Sequence, residues 1–127
     1  LGQLMSAVRR NYSSPPTHGS QIVAKVLQTP ALRQNWAEEL GAMRTRIQAM
    51  RQRLHDVLAA QLPGRDISYF VTQRGMFSYT GLSAEQVDVL REQHGVYVLR
   101  SGRMCVAGLN VGNVDRVAEA MATVLAR

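Results

Sequence analysis

Two stretches of this 127-residue chain set arginine beside residues that break regular structure. Arg9-Arg10 closes a run of helical pattern just ahead of Tyr12-Ser13-Ser14-Pro15-Pro16, and Arg103 follows Ser101-Gly102 between two strand-like runs. A guanidinium presents a planar fork that pairs bidentately with a carboxylate, neighbouring hydroxyls supply further ligand contacts, and adjacent prolines stiffen the loop that carries them. At a sheet end, a glycine beside the arginine keeps the approach open. Both places also admit an ordinary structural reading, because arginine at a helix C-terminus complements the dipole and Ser-Gly is a common turn. Spacing alone leaves the two readings open.

Other chemistry is thin. His18, His55 and His94 lie far apart and none has metal-pair spacing, so no metal is expected. His94 before Gly95 reads as a helix-end residue. No Gly-x-Ser-x-Gly elbow, phosphate-cradling glycine loop or Cys-x-x-Cys occurs. The lone Cys105 excludes an internal disulfide and a cysteine zinc site; it leaves a reactive thiol possible, with core filler as the plainer role.

The net charge of +6 is compatible with nucleic acid, an acidic membrane surface or small anionic substrates. Its make-up is more informative: fourteen arginines against one lysine, Lys25. That bias suits carboxylate recognition, and a codon preference would produce it equally. Only two phenylalanines, four tyrosines and one tryptophan are present, with no stacking motif or recognition-helix pattern. No run approaches the roughly 18 apolar residues of a membrane span and no charged leader precedes an apolar stretch. The expectation is a soluble, cytoplasmic protein without nucleic-acid or membrane partners.

The elements that must position these arginines follow from periodicity. Leu1, Leu4, Met5 and Val8 read as the last turns of a helix, broken by Asn11 to Pro16, and a chain starting at Leu1 in mid-pattern is expected to be cut from something longer. Ile22, Val23, Val26 and Leu27 mark a short helix, after which Thr29 is an N-cap with Pro30 at the first helical position. Trp36, Leu40, Met43, Ile47, Met50, Leu54 and Val57 then form the stripe of one long helix from about Ala31 to Gln61, with Arg44, Arg46, Arg51 and Arg53 mostly off it. Such a helix spans roughly 45 Å and is expected to bridge two bodies, ending at Pro63-Gly64. Strands are predicted at Ile67 to Val71, Met76 to Tyr79, Val96 to Leu99 and Met104 to Ala107. A capping box at Ser83 to Gln86 opens a helix that His94-Gly95 closes, and Asn113 caps a last helix burying Val117, Met121, Val124 and Leu125. The fold class is α/β, without internal repeat or low-complexity tract.

The string Arg9-Arg10-Asn11-Tyr12-Ser13-Ser14-Pro15-Pro16 resembles the active-site loop of class I pyridoxal-phosphate-dependent aminotransferases, the aspartate and bacterial aromatic amino acid enzymes. Arg74-Gly75-Met76-Phe77-Ser78-Tyr79-Thr80-Gly81-Leu82 is similar to their Gly-Met-Phe-Ser strand. Gly95-Val96-Tyr97, Ser101-Gly102-Arg103 and Ala107-Gly108-Leu109 continue in the family's order, so the likeness covers essentially the whole chain. Wording such as Met104-Cys105-Val106-Ala107-Gly108-Leu109-Asn110 is closest to the bacterial aromatic (tyrosine) enzymes.

The resemblance implies a C-terminal small domain of a fold-type I aminotransferase, in which a long linking helix is followed by a small sheet covered by helices. Residues 1–18 would end the large cofactor domain with the active-site loop, 19–63 would hold the helices including the interdomain one, and 64–127 the small α/β domain. It implies amino-group transfer between aromatic or dicarboxylic amino acids and 2-oxo acids such as 2-oxoglutarate, by a homodimer with pyridoxal 5'-phosphate. Arg103 takes the place of the arginine that binds the substrate α-carboxylate. Arg9 takes that of the arginine reaching across the dimer interface to the distal carboxylate. Ser13 and Ser14 supply interface and site contacts, Ser14 standing where aspartate-specific relatives commonly have asparagine. Phe77 holds the aromatic position near the substrate, and Gly75 permits close backbone approach. The family's cofactor lysine falls upstream of this chain, and Lys25, between Ala24 and Val26 in a helix, does not match it. The segment alone is therefore expected neither to bind the cofactor tightly nor to transaminate. The alternatives from other classes are a stand-alone basic nucleic-acid-binding module and a dimerisation module.

Overall fold

A computed structural model describes residues 1–13 and 15–126. They form α1 (Gly2–Tyr12), α2 (His18–Gln28), α3 (Pro30–Gln61), α4 (Tyr69–Thr72), β1 (Phe77–Tyr79), α5 (Ala84–His94), β2 (Arg103–Cys105), one 3-10 turn (Val106–Gly108) and α6 (Val114–Leu125). The chain divides into two compact units, Leu1–Gly41 and Ala42–Arg127.

In the first unit, α1 runs through Tyr12, further than the expected break at Asn11. It stops where Ser13 adopts a left-handed φ of 56° and donates its N–H to Arg9 O. Pro30 opens α3 as predicted: it lacks the N–H that a first-turn residue would leave unpaired, and Thr29 O accepts from Arg33 N–H at 2.9 Å. Most of the large apolar residues of this unit, among them Leu4, Ile22, Trp36 and Leu40, are exposed, and Val26 is half-buried.

The second unit holds the core. Met50, Leu54 and Leu58 of α3 pack with Phe70, Leu82, Val87, Leu90, Met104, Val106, Met121 and Val124. Only the later part of the predicted α3 stripe is thus covered; Trp36, Leu40 and Met43 are exposed. β1 and β2 pair antiparallel, Phe77 opposite Cys105, Ser78 opposite Met104 and Tyr79 opposite Arg103. Strand alternation sends Ser78 and Met104 inward and leaves Phe77, Tyr79, Arg103 and Cys105 on the outer face. The capping box is present: Ser83 Oγ accepts from Gln86 N–H while Gln86 Oε1 accepts from Ser83 N–H. Gly95 closes α5 at φ 63°. Asn113 does stand at the N-cap of α6, but its side chain braces the preceding loop, accepting from Asn110 N–H and donating to Gly108 O.

The sheet is smaller than predicted, with two strands where four were expected. Where a strand was expected from Ile67 to Val71 the chain turns into α4: Asp66 Oδ1 accepts Ser68 N–H at 2.9 Å, the helix runs Tyr69–Thr72, and Ile67 and Phe70 are buried three residues apart. Val96 to Leu99 has no ladder, because Val96 N–H is taken by Leu90 O and Leu99 N–H bonds Arg103 O across a turn. β2 begins one residue before the predicted Met104 and gives way at Val106 to the 3-10 turn.

Candidate carboxylate site

The outer face of the two-stranded ribbon carries the arrangement of most chemical interest. Arg103 begins β2 after the turn Leu99–Gly102, whose Gly102 N–H donates to Leu99 O at 2.8 Å. Gly102 has φ 79°, and a Cβ there would lie 3.0 Å from Leu82 O, so glycine is dictated both by conformation and by space. The buried Thr80 fixes the turn, donating N–H and Oγ1–H to Gly102 O at 2.9 and 2.8 Å. Arg100, from the same turn, pairs with Asp88 of α5 at 3.0 Å, and Asp88 also meets Arg91. The Asp88 hydrogen bond, then its charge, holds Arg100 above its ordinary pKa.

On that anchored turn the Arg103 side chain is exposed, and among the described residues it makes no ion pair. Its guanidinium carbon sits 5.0 Å from the centroid of the Phe77 ring. At an exposed site a cation over an aromatic face is worth about 0.5–1 kcal/mol, enough to bias the guanidinium's position while its donors stay free. Phe77, Tyr97, Leu99, Arg103 and Cys105 line an open pocket of about 260 Å³. A freely exposed guanidinium beside an apolar wall can take a carboxylate and shelter a neighbouring hydrocarbon or ring.

Behind the ribbon lies a residue that the sequence reading missed. Arg51 of α3, 4% exposed, donates from Nη1 to Phe70 O (2.9 Å) and Ser78 Oγ (2.7 Å), and from Nη2 to Gly75 O (2.9 Å) and Phe77 O (2.8 Å). No carboxylate balances it among the described ion pairs. Desolvation first, then the charge of Arg74, pushes its pKa down; arginine nevertheless remains charged. Burying an unpaired cation costs several kcal/mol, offset here by hydrogen bonds to a charged donor worth about 1.5–3 kcal/mol each. The available signal was spacing: Arg51 is four residues after Ile47 and three before Leu54, on the face that reaches the core, but its charge suggested solvent. Its neighbours on α3 also have internal duties. Arg46 bonds Ala107 O and Leu109 O, and Arg53 pairs bidentately with Asp115 at 2.7 and 2.9 Å.

Of the residues singled out in the sequence, the structure brings Arg103 and Phe77 together, with Gly75 two residues away at φ 81° and bound through its carbonyl to Arg51. Arg9 and Ser13 are neighbours at the end of α1, in the first unit. Ser14 lies outside the described residues. Lys25 is exposed on α2 and is the chain's one lysine, so the unit bearing Arg103 has no amine with which to bind an aldehyde cofactor as an imine. The described residues of that unit do not form a covalent pyridoxal phosphate site. No group of three or more metal-ligating side chains occurs among the described residues.

The aromatic-amino-acid aminotransferase of Escherichia coli (strain K12) is 62% identical over 125 residues, which cover 98% of this chain and 32% of that protein. An aromatic amino acid aminotransferase from Psychrobacter sp. B6, cocrystallised with aspartic acid, superposes with a TM-score of 0.90 at 51% identity, covering 99% of this chain and 32% of that one. The Burkholderia pseudomallei aromatic-amino-acid aminotransferase, covalently bound to pyridoxal phosphate, gives 0.89 at 55% identity over 98% of this chain and 31% of that one. The chain thus spans about a third of the length of the relatives it matches. The family description "Aminotransferase class I and II" matches residues 1–121, and the chain belongs to that family.

Proposed function

We propose that this chain supplies the substrate-carboxylate site of a pyridoxal-phosphate-dependent aminotransferase that moves amino groups between aromatic or dicarboxylic amino acids and 2-oxo acids. The observation that carries the reading is the exposed Arg103 guanidinium, free of any ion pair among the described residues, held over Phe77 on a turn that Thr80 and Gly102 make rigid. In the full-length enzyme Arg103 clamps the α-carboxylate and so orients the amino acid's Cα–H bond. Arg9, Ser13 and Ser14 act at the other end of the substrate, from the second subunit of a homodimer. Residues 64–127 form the small domain, α3 leads into it from the large cofactor domain, and residues 1–18 belong to that larger body. The cofactor's imine lysine comes from elsewhere in the full-length polypeptide, so the isolated segment is inactive.

The names of the relatives support both substrate classes, since an aromatic aminotransferase was crystallised with aspartic acid. A nucleic-acid-binding module is disfavoured on physical grounds: Arg53, Arg91 and Arg100 are paired with carboxylates of the chain itself and Arg51 is buried, which leaves these guanidiniums unavailable to phosphates. No helix among the described residues is long and apolar enough to cross a membrane, and a cytoplasmic location is part of the proposal.

The test is Arg103→Lys in the full-length enzyme. Lysine keeps the charge but not the bidentate fork, so kcat/KM should fall about a hundredfold for aromatic and dicarboxylic substrates alike. An unchanged kcat/KM removes Arg103 from the site.

A further inference from the structure

We propose that Arg51 is the positioning residue of the carboxylate site, holding Phe77 from behind the ribbon and thereby fixing where the Arg103 guanidinium meets a substrate carboxylate. This rests on Arg103 being that anchor. The geometry is unusually complete. The two terminal nitrogens of Arg51 carry four N–H groups, and each has one acceptor, all from the segment Phe70 to Ser78. Gly75 O and Phe77 O share Nη2, so the two ends of Gly75-Met76-Phe77 are set by one rigid plane. The intervening Met76 O accepts from Val106 N–H at 2.8 Å, which ties the same tripeptide to the 3-10 turn that directly follows the strand bearing Arg103. Ser78 Oγ, bonded to Nη1, donates to Gln73 Oε1, and Gln73 Oε1 also accepts Tyr79 N–H. β1 is therefore gripped on its inner side, and its outer side is free to present the ring on which Arg103 rests.

Arg51 touches no substrate in this arrangement; its influence passes through the backbone of Phe77. A lysine cannot replace it, because three donors diverging from one nitrogen do not match four acceptors arrayed around a planar fork. Misplacing a binding group by even an ångström is costly in an oriented site, so the effect should appear in substrate affinity as well as in stability.

The experiment uses the full-length aminotransferase, comparing Arg51→Lys, Arg103→Lys and the double variant by steady-state kinetics with an amino acid substrate and by thermal unfolding. Arg51→Lys should raise KM about tenfold while kcat of the folded enzyme falls less than about threefold. In the Arg103→Lys background the same change should add less than about twofold to KM, since the group being positioned is gone. A purely structural role predicts a lower melting temperature with KM unaltered, and that result overturns the proposal. Equal effects of Arg51→Lys with and without Arg103 overturn it as well. If Arg103→Lys itself leaves KM unchanged, the carboxylate reading falls, and this proposal with it. Should Arg51→Lys give no folded enzyme, Ser78→Ala removes one of its acceptors at milder cost: a two- to fivefold rise in KM, about the loss of one hydrogen bond, supports the proposal, and an unaltered KM overturns it.

Discussion

The guanidinium of Arg103 and the ring of Phe77 stack 5.0 Å apart on neighbouring strands, although 26 positions separate them in the chain. They are not directly opposed: Phe77 faces Cys105 and Tyr79 faces Arg103, so the contact runs diagonally across the outer face of the ribbon. Diagonal neighbours are within reach of long and aromatic side chains, and this pair makes the pocket one of charge against an apolar wall.

If the ring orients the cation, Phe77→Leu in the full-length enzyme should weaken binding of a carboxylate substrate about two- to fivefold, the equivalent of an exposed cation–π contact. Phe77→Tyr keeps the aromatic face and should stay within about twofold of the parent. The check is KM for an amino acid substrate, and equal behaviour of the leucine and tyrosine variants would dismiss the ring's electrostatic role.

Gly102→Ala adds a methyl 3.0 Å from Leu82 O at a φ of 79°. The strain and the contact together should cost about 1–3 kcal/mol, read as a lower midpoint in denaturant unfolding. Carboxylate affinity should fall too, because the turn carries Arg103. A variant as stable as the parent would show that the turn relaxes freely.

The Arg53 hydrogen bond first, and its charge second, hold the Asp115 carboxyl below its ordinary value of 3.8. A carboxyl depressed in the folded state contributes stability that is fully present above the unfolded pKa and is lost as pH falls through the folded one. Both partners are exposed, so the contribution is small and weakened by salt. Asp115→Asn should therefore lower the melting temperature slightly at about pH 7, and the gap between the two proteins should close as the pH falls through the folded-state pKa of Asp115. A gap that persists in acid would assign the loss to something other than the ion pair.

What was legible in the sequence was mostly what is decided locally. The Ser83–Gln86 capping box, the Gly95 stop and Pro30 at the head of α3 depend on residues within one turn of each other, and all three formed. The α4 segment went the other way, because Tyr69-Phe70-Val71-Thr72 are strand formers by preference and their helix is set by the Asp66–Ser68 turn and by Phe70 filling the core. Val96 to Leu99 has strand composition but no partner to complete a ladder, which composition cannot reveal. For the site, the motif around Arg103 and Phe77 pointed to residues that do meet. Arg51 was illegible because what permits its burial is a set of acceptors 19 to 27 residues away.

Thr80 is bonded on both sides: its amide and hydroxyl hold Gly102 O, while its own carbonyl accepts from the Tyr69 hydroxyl at 2.8 Å. A load applied to the arginine turn at the rim is thus passed by two short polar links to α4 in the interior. The rim and α4 are therefore mechanically coupled, and a displacement of the Arg103 turn is transmitted to the helix beneath it.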